Sequence, residues 1–206
     1  MKPKALRAVL AFAMALAATG AHAADRSSNF AIRGIGAETC QAFFSAPAKV
    51  RPYADLALQA WILGYVTAEN RLSSNTYDIV GLQDPAVMPR LVGALCQANP
   101  NADIEGVVAG LITRLAPLKV AANSPLLTLH AGTASVAIRQ ETLVAVQKAL
   151  ARQGVYAGRA NGEPTEVLQS ALTSYQKKQQ LPVSGLPDSA TIIRLLIENS
   201  KLPAKS

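Results

Sequence analysis

Apolar residues recur in steps of three and four through two long stretches of the chain, the spacing that puts them on one face of a helix. In the first stretch, Leu58, Trp61, Ile62, Tyr65 and Val66 predict one long amphipathic helix over residues 52–71. Asp84-Pro85 has the chemistry of a helix start, because a carboxylate caps free amides and proline is tolerated in a first turn. Pro89 also favours a first turn, which moves the expected start toward Met88. Met88, Leu91, Val92, Leu95 and Cys96 then form the inward face until Asn99-Pro100 stops the helix. Ile104, Val107, Val108, Leu111 and Leu115 predict a further helix over about 102–114, and Cys40 falls in a short helix after Arg33-Gly34-Ile35-Gly36.

The second stretch predicts three helices. The first spans about 141–153, turns Leu143, Val146, Gln147 and Leu150 inward, and ends at Gly154, the residue best able to take a left-handed cap. The second spans about 166–180, capped by Thr165, with Leu168, Ala171, Leu172 and Tyr175 as its stripe. The third starts at Asp188, after Pro187, and buries Ile192, Leu195 and Leu196. Between the two stretches, residues 119–138 mix small and polar residues and read as a linker with a short extended piece at 126–130. The fold expected is therefore all-α, with two small helical domains at 30–118 and 139–200.

Charge and cysteine content add a compartment. Lys2, Lys4 and Arg7 precede an apolar run from Ala8 to Ala18 and a small-residue site ending at Ala23, the layout of a cleavable signal peptide over residues 1–23. The run is shorter than the roughly 20 residues needed to span a bilayer, so an exported chain without a transmembrane segment after cleavage is expected, located in the periplasm. Those three residues belong to the 20 basic ones that, against 13 acidic, set the formal charge of +7. The remainder is only mildly basic, and nucleic acid is not an expected partner. In an oxidising compartment the two cysteines, Cys40 and Cys96, read as one structural disulfide joining the first helix to a later one.

The blocks VQKALARQGVYAGRANG, ALTSYQKKQQLPVSG and PDSATIIRLL give the second stretch a family likeness. In that order and spacing they resemble the three-helix peptidoglycan-binding domain found on many wall-modifying proteins. The agreement runs over about 58 residues and includes Val146, Gln147, Leu150, Gly154, Tyr156, Gly158, Gly162, Ala171, Leu172, Tyr175, Gln176, Gly185, Asp188 and Thr191. The chain departs from the pattern after Gly162. There the family usually has a second glycine, a proline and a capping threonine, and this chain has EPTEVLQS. The resemblance implies peptidoglycan as partner. The polar and aromatic groups near the loops, Tyr156, Arg159, Asn161, Tyr175 and Gln176, are the expected contacts, since a glycan with peptide stems suits stacking, amide hydrogen bonds and an arginine fork. More faintly, TCQAFF, WILGYVTAEN and LCQANP resemble small secreted two-cysteine helical proteins, HdeA-like periplasmic chaperones and immunity proteins of the Rap type. That likeness implies a periplasmic protein as second partner, with Trp61, Gly64 and Tyr65 as packing residues and Gly64 allowing close helix approach.

Catalysis finds little material. Zinc hydrolases of the wall need two or three histidines with a carboxylate, and after signal removal only His130 remains. A cysteine transpeptidase needs a free thiol. A single-acid glycan lyase could draw on Glu38, Glu69 or Glu105, but Glu69 and Glu105 read as solvated positions on helix faces. The expectation is a non-catalytic envelope protein with no metal or cofactor. Its rivals are a periplasmic chaperone or inhibitor and a weak lytic enzyme.

Overall fold

The computed structural model describes residues 25, 27 and 29–198; the expected signal peptide, residues 1–23, lies outside the described residues. The chain divides into two units, Met1–Ala31 and Ile32–Ser206. Of the first, the described part is an exposed turn in which the Asp25 carboxylate accepts from the N–H groups of Ser27 and Asn29. Those two bonds hold its carboxyl below the usual aspartate value.

The second unit begins with a 3-10 turn, Gly34–Ala37, followed by α1 (Cys40–Phe44), α2 (Arg51–Leu72), α3 (Val87–Ala98) and α4 (Ile104–Leu115). Local chemistry sets these limits. Thr39 Oγ1 accepts from Ala42 N at 3.2 Å to cap α1, and Asp103 does the same from Gly106 N at 2.6 Å for α4. Pro52 lies in the first turn of α2, where its missing N–H leaves no bond unmade. The start of α3 at Val87, between the two prolines weighed above, lets Pro89 fall in its first turn as well. The expected disulfide joins Cys40 to Cys96, linking α1 to α3 across a Cα separation of 5.2 Å, with both cysteines buried. Trp61 lies flat on the 3-10 turn. A Cβ added to Gly36 would overlap the indole, and the indole N–H donates to Arg33 O at 2.9 Å.

The segment expected as a linker is a β-hairpin, which corrects the all-α expectation. β1 (Leu126–Ala131) and β2 (Ala134–Arg139) pair antiparallel around Gly132-Thr133, with Leu127 opposite Ile138 and Leu129 opposite Val136. Gly132 has φ +58° and Thr133 is not left-handed, the pattern of a two-residue turn with glycine first. One face of the hairpin carries Leu127, Leu129, Val136 and Ile138 into the core, and the other is exposed. A chain that buries alternate side chains this way is held in place, unlike a tether.

After the hairpin come α5 (Gln140–Arg152), α6 (Glu166–Lys178) and α7 (Ser189–Ile193), the last continuing as a π-helical turn, Arg194–Glu198. Thr165 and Asp188 cap α6 and α7 as expected, accepting from Leu168 N and Thr191 N. Buried residues from Cys40 to Ile197 form one continuous hydrophobic cluster, so the helices before and after the hairpin share a core. Polar contacts reinforce the junction. Arg139 donates to Asn123 Oδ1, Ser124 O and Tyr77 OH at 2.7 to 3.0 Å, with its guanidinium 4.7 Å from the centre of the Tyr77 ring. The Glu141 carboxylate accepts from Ala121 N and Ala122 N, and Val120 pairs with Asp78.

Candidate functional site

Two buried glutamines organise the loops of the C-terminal helices. Gln147, on α5, is fully buried; its Oε1 accepts from Gly162 N at 2.8 Å, and its Nε2 donates to Glu163 O at 2.9 Å. Gln176, on α6, is also fully buried. Its Oε1 accepts from Gly185 N at 2.8 Å, and its Nε2 faces Ser184 Oγ, Leu186 O and Thr191 Oγ1 at 2.9 to 3.0 Å. Both glycines have positive φ, +78° and +68°, which turns their N–H groups inward to meet the amides. An amide side chain is suited to this task because it offers a donor and an acceptor on one planar group.

Three of the five expected contacts are buried in this geometry. Tyr175 and Gln176 are turned into the core, and Tyr156 is buried with its hydroxyl donating to Arg159 O at 2.9 Å. Arg159 and Asn161 are exposed, as a contact requires, on the loop between α5 and α6; Asn161 Oδ1 accepts from Glu163 N.

The remodelled EPTEVLQS stretch does not break the fold. Leu168 is buried, Thr165 caps α6, and Pro164 and Thr165 form one wall of a cleft of about 250 Å³. Thr128 and His130 of β1 line it too, with the exposed Glu166 and Gln169, and the buried Leu129, Leu168, Leu172 and Leu186 make its apolar base. Hydroxyl, imidazole, carboxylate and amide groups above an apolar base suit a ligand that is amphipathic and rich in hydrogen-bonding groups, as sugars and peptide stems are. The half of the cleft that comes from β1 was hidden in the segment read as a linker. Alternation of Leu127, Leu129, Val136 and Ile138 about Gly132-Thr133 was the pattern that could have exposed it.

Elsewhere, a cleft of about 380 Å³ lies between residues 81–84, β2 and the start of α7. Its charged pair, Asp84 and Arg90, is closed on itself at 2.9 Å, and this contact draws the Asp84 carboxyl below its usual value. Of the three carboxylates considered for acid chemistry, Glu38 is exposed and Glu69 half-buried. Glu105 corrects its expectation: it is 8% exposed and accepts from Tyr65 OH at 2.8 Å. Burial, the hydrogen bond and the negative charge of Glu105 all raise the Tyr65 phenol above its usual value. Gly64 also departs from expectation, since no other part of the chain lies within 4 Å of where its Cβ would be. Among the described residues, no group of three or more His, Cys, Asp or Glu is arranged to hold a metal ion, and no helix is long and apolar enough to cross a membrane.

Comparison with curated proteins and with solved structures finds no match. Comparison with family models does find one, and it falls on the glutamine-clamped helices. Residues 139–195, from the end of β2 into the last helix, match the family described as "Putative peptidoglycan binding domain".

Proposed function

We propose that this chain is a non-catalytic, exported envelope protein that attaches to peptidoglycan through residues 139–195 and meets another protein through its disulfide-bonded helices. The observation that carries the reading is the family match over the C-terminal helices. The cleft beside Thr165 and His130 supports it as the place of contact, with Arg159 and Asn161 adding a polar margin on the neighbouring loop. A buried disulfide supports an oxidising compartment, as does the arrangement of Lys2, Lys4, Arg7 and the apolar run that follows. One of the candidate acids supports a binding role: Glu105 is tied to Tyr65 inside the core, its carboxylate already engaged.

Co-sedimentation with purified sacculi tests the proposal. The disulfide-bonded chain is expected to pellet with sacculi at low salt without releasing soluble fragments. A chain that stays in the supernatant removes the wall-binding reading, and release of soluble muropeptides removes the non-catalytic one.

A further inference from the structure

β1 and β2 form a two-stranded sheet, so each strand has an edge left without a neighbouring strand. The register shows which backbone groups lie on those edges. Gln140 N donates to Pro125 O at 2.9 Å, one step beyond the last strand pair, and bonded pairs in an antiparallel ladder alternate with unbonded ones. Leu127 with Ile138 and Leu129 with Val136 are therefore bonded pairs, and the N–H and C=O groups of Thr128 and His130 point away from β2. Among the described residues, neither Thr128 nor His130 makes a backbone hydrogen bond to another segment. The cleft of about 250 Å³ lies along this edge. It is lined by Thr128, Leu129 and His130, consecutive residues whose side chains alternate between the two faces, and by no residue of β2.

We propose that this edge takes the peptide stem of the wall polymer as an added strand, so that the cleft reads the stem and not the glycan; this rests on the wall-binding reading above. An extended peptide carries N–H and C=O groups along its length and satisfies an open strand edge by main-chain pairing. A glycan bears hydroxyls and branching acetamides, which do not follow a strand. Stems contain a γ-linked residue that interrupts the strand repeat, so pairing falls on the segment beyond it, the diamino acid and the residue that follows. A cleft of this size, small among ligand sites, suits so short a segment. Glu166 is exposed, is the one carboxylate that lines the cleft, and forms no ion pair among the described residues. It is placed to accept from the side-chain ammonium of the diamino acid. β2 has an open edge as well, at Ser135 and Ala137, beside the cleft of about 380 Å³. There both carboxylates are engaged, Asp84 with Arg90, and Asp188 with Ser184 Oγ and Thr191 N, so that cleft has no free partner for an ammonium.

Competition for the disulfide-bonded chain on purified sacculi tests this. Free stem tetrapeptide is expected to release the chain, and soluble glycan strands stripped of peptide are expected to leave it bound. Thr128→Pro removes an outward N–H without touching a ladder bond, at an edge position where a strand tolerates proline. Its retention should fall about tenfold below that of Thr128→Ala, which loses the hydroxyl but keeps the N–H. If circular dichroism shows the proline variant unfolded, the parent chain still decides. Its Thr128 and His130 amide resonances should shift, and their exchange with solvent should slow, when the tetrapeptide is added. Acetylating the tetrapeptide's side-chain amine should weaken its competition in the parent and much less in Glu166→Gln. Release by bare glycan strands and not by the tetrapeptide overturns the proposal while wall binding stands. So do tetrapeptide shifts confined to Ser135 and Ala137, or a folded Thr128→Pro chain retained as well as Thr128→Ala. A chain that never pellets with sacculi removes the wall-binding reading itself, and this proposal with it.

Discussion

The side-chain oxygen of Gln147 accepts the backbone N–H of Gly162 at 2.8 Å, and this bond ties the loop after α5 to the inside of the helix it leaves. Gln176 and Gly185 repeat the device on α6 at the same distance. The loops bordering the proposed wall-binding cleft are thereby held from below, by groups that never reach solvent.

Removing either amide leaves a buried N–H without its acceptor. Gln147→Leu and Gln176→Leu are each expected to destabilise the protein by about 1 to 3 kcal/mol, measured by urea unfolding. Gln176→Leu should be the more severe, since Leu186 O and Thr191 Oγ1 lose a donor as well.

Contact with the wall should follow the exposed groups of the cleft. His130→Ala combined with Gln169→Ala is expected to weaken retention on sacculi about tenfold, the equivalent of about 1.4 kcal/mol, with the unfolding midpoint little changed. If retention is unaffected, the cleft is not the contact.

The disulfide closes a loop with a sequence separation of 56 between two buried positions. Replacing both cysteines, Cys40→Ala with Cys96→Ala, is expected to lower stability by about 2 to 5 kcal/mol. Unfolding under oxidising conditions would show it, and a reductant should bring the parent chain toward the variant.

Trp61 is the single tryptophan, so its fluorescence reports on the turn it covers. Gly36→Ala places a Cβ inside the indole's volume, so the ring or the turn must shift, and the ring is expected to. A red-shifted emission and a loss of about 1 to 3 kcal/mol are expected; unchanged emission would mean that the turn yields instead.

Tyr65 and Glu105 make stability depend on alkaline pH. The folded protein raises the phenol above its usual value of 10.0, so the unfolded chain releases that proton first as pH rises. The stabilising contribution is therefore complete below about pH 10 and is lost as pH climbs through the folded value. Tyr65→Phe should reduce this alkaline loss. At neutral pH it should destabilise by about 1 to 3 kcal/mol, because Glu105 stays buried without the hydroxyl. Urea unfolding of both proteins from pH 7 to 11 separates the two effects.

Local chemistry made the helices legible. Periodicity, capping by Thr165 and Asp188, and termination at Asn99-Pro100 and Gly154 all act within a few residues, and each helix forms within a few residues of where they point. The pairing of Cys40 with Cys96 was legible too, because two cysteines admit one bridge. The hairpin was harder to read: its inward residues are few, and polar and small neighbours dilute their alternation until Leu127 meets Ile138 across the turn. Polarity alone also could not tell which way Gln176 would turn, because an amide satisfies a loop as readily as a ligand. Only the glycine N–H that the fold brings beside it decides. Arg139 and Tyr77 belong to the same class, being 62 residues apart in sequence and joined by a 2.8 Å bond. Short-range preferences therefore settled the helices, and the tertiary structure decided where the polar groups went, because a buried donor or acceptor must be matched by whatever the folded chain places next to it.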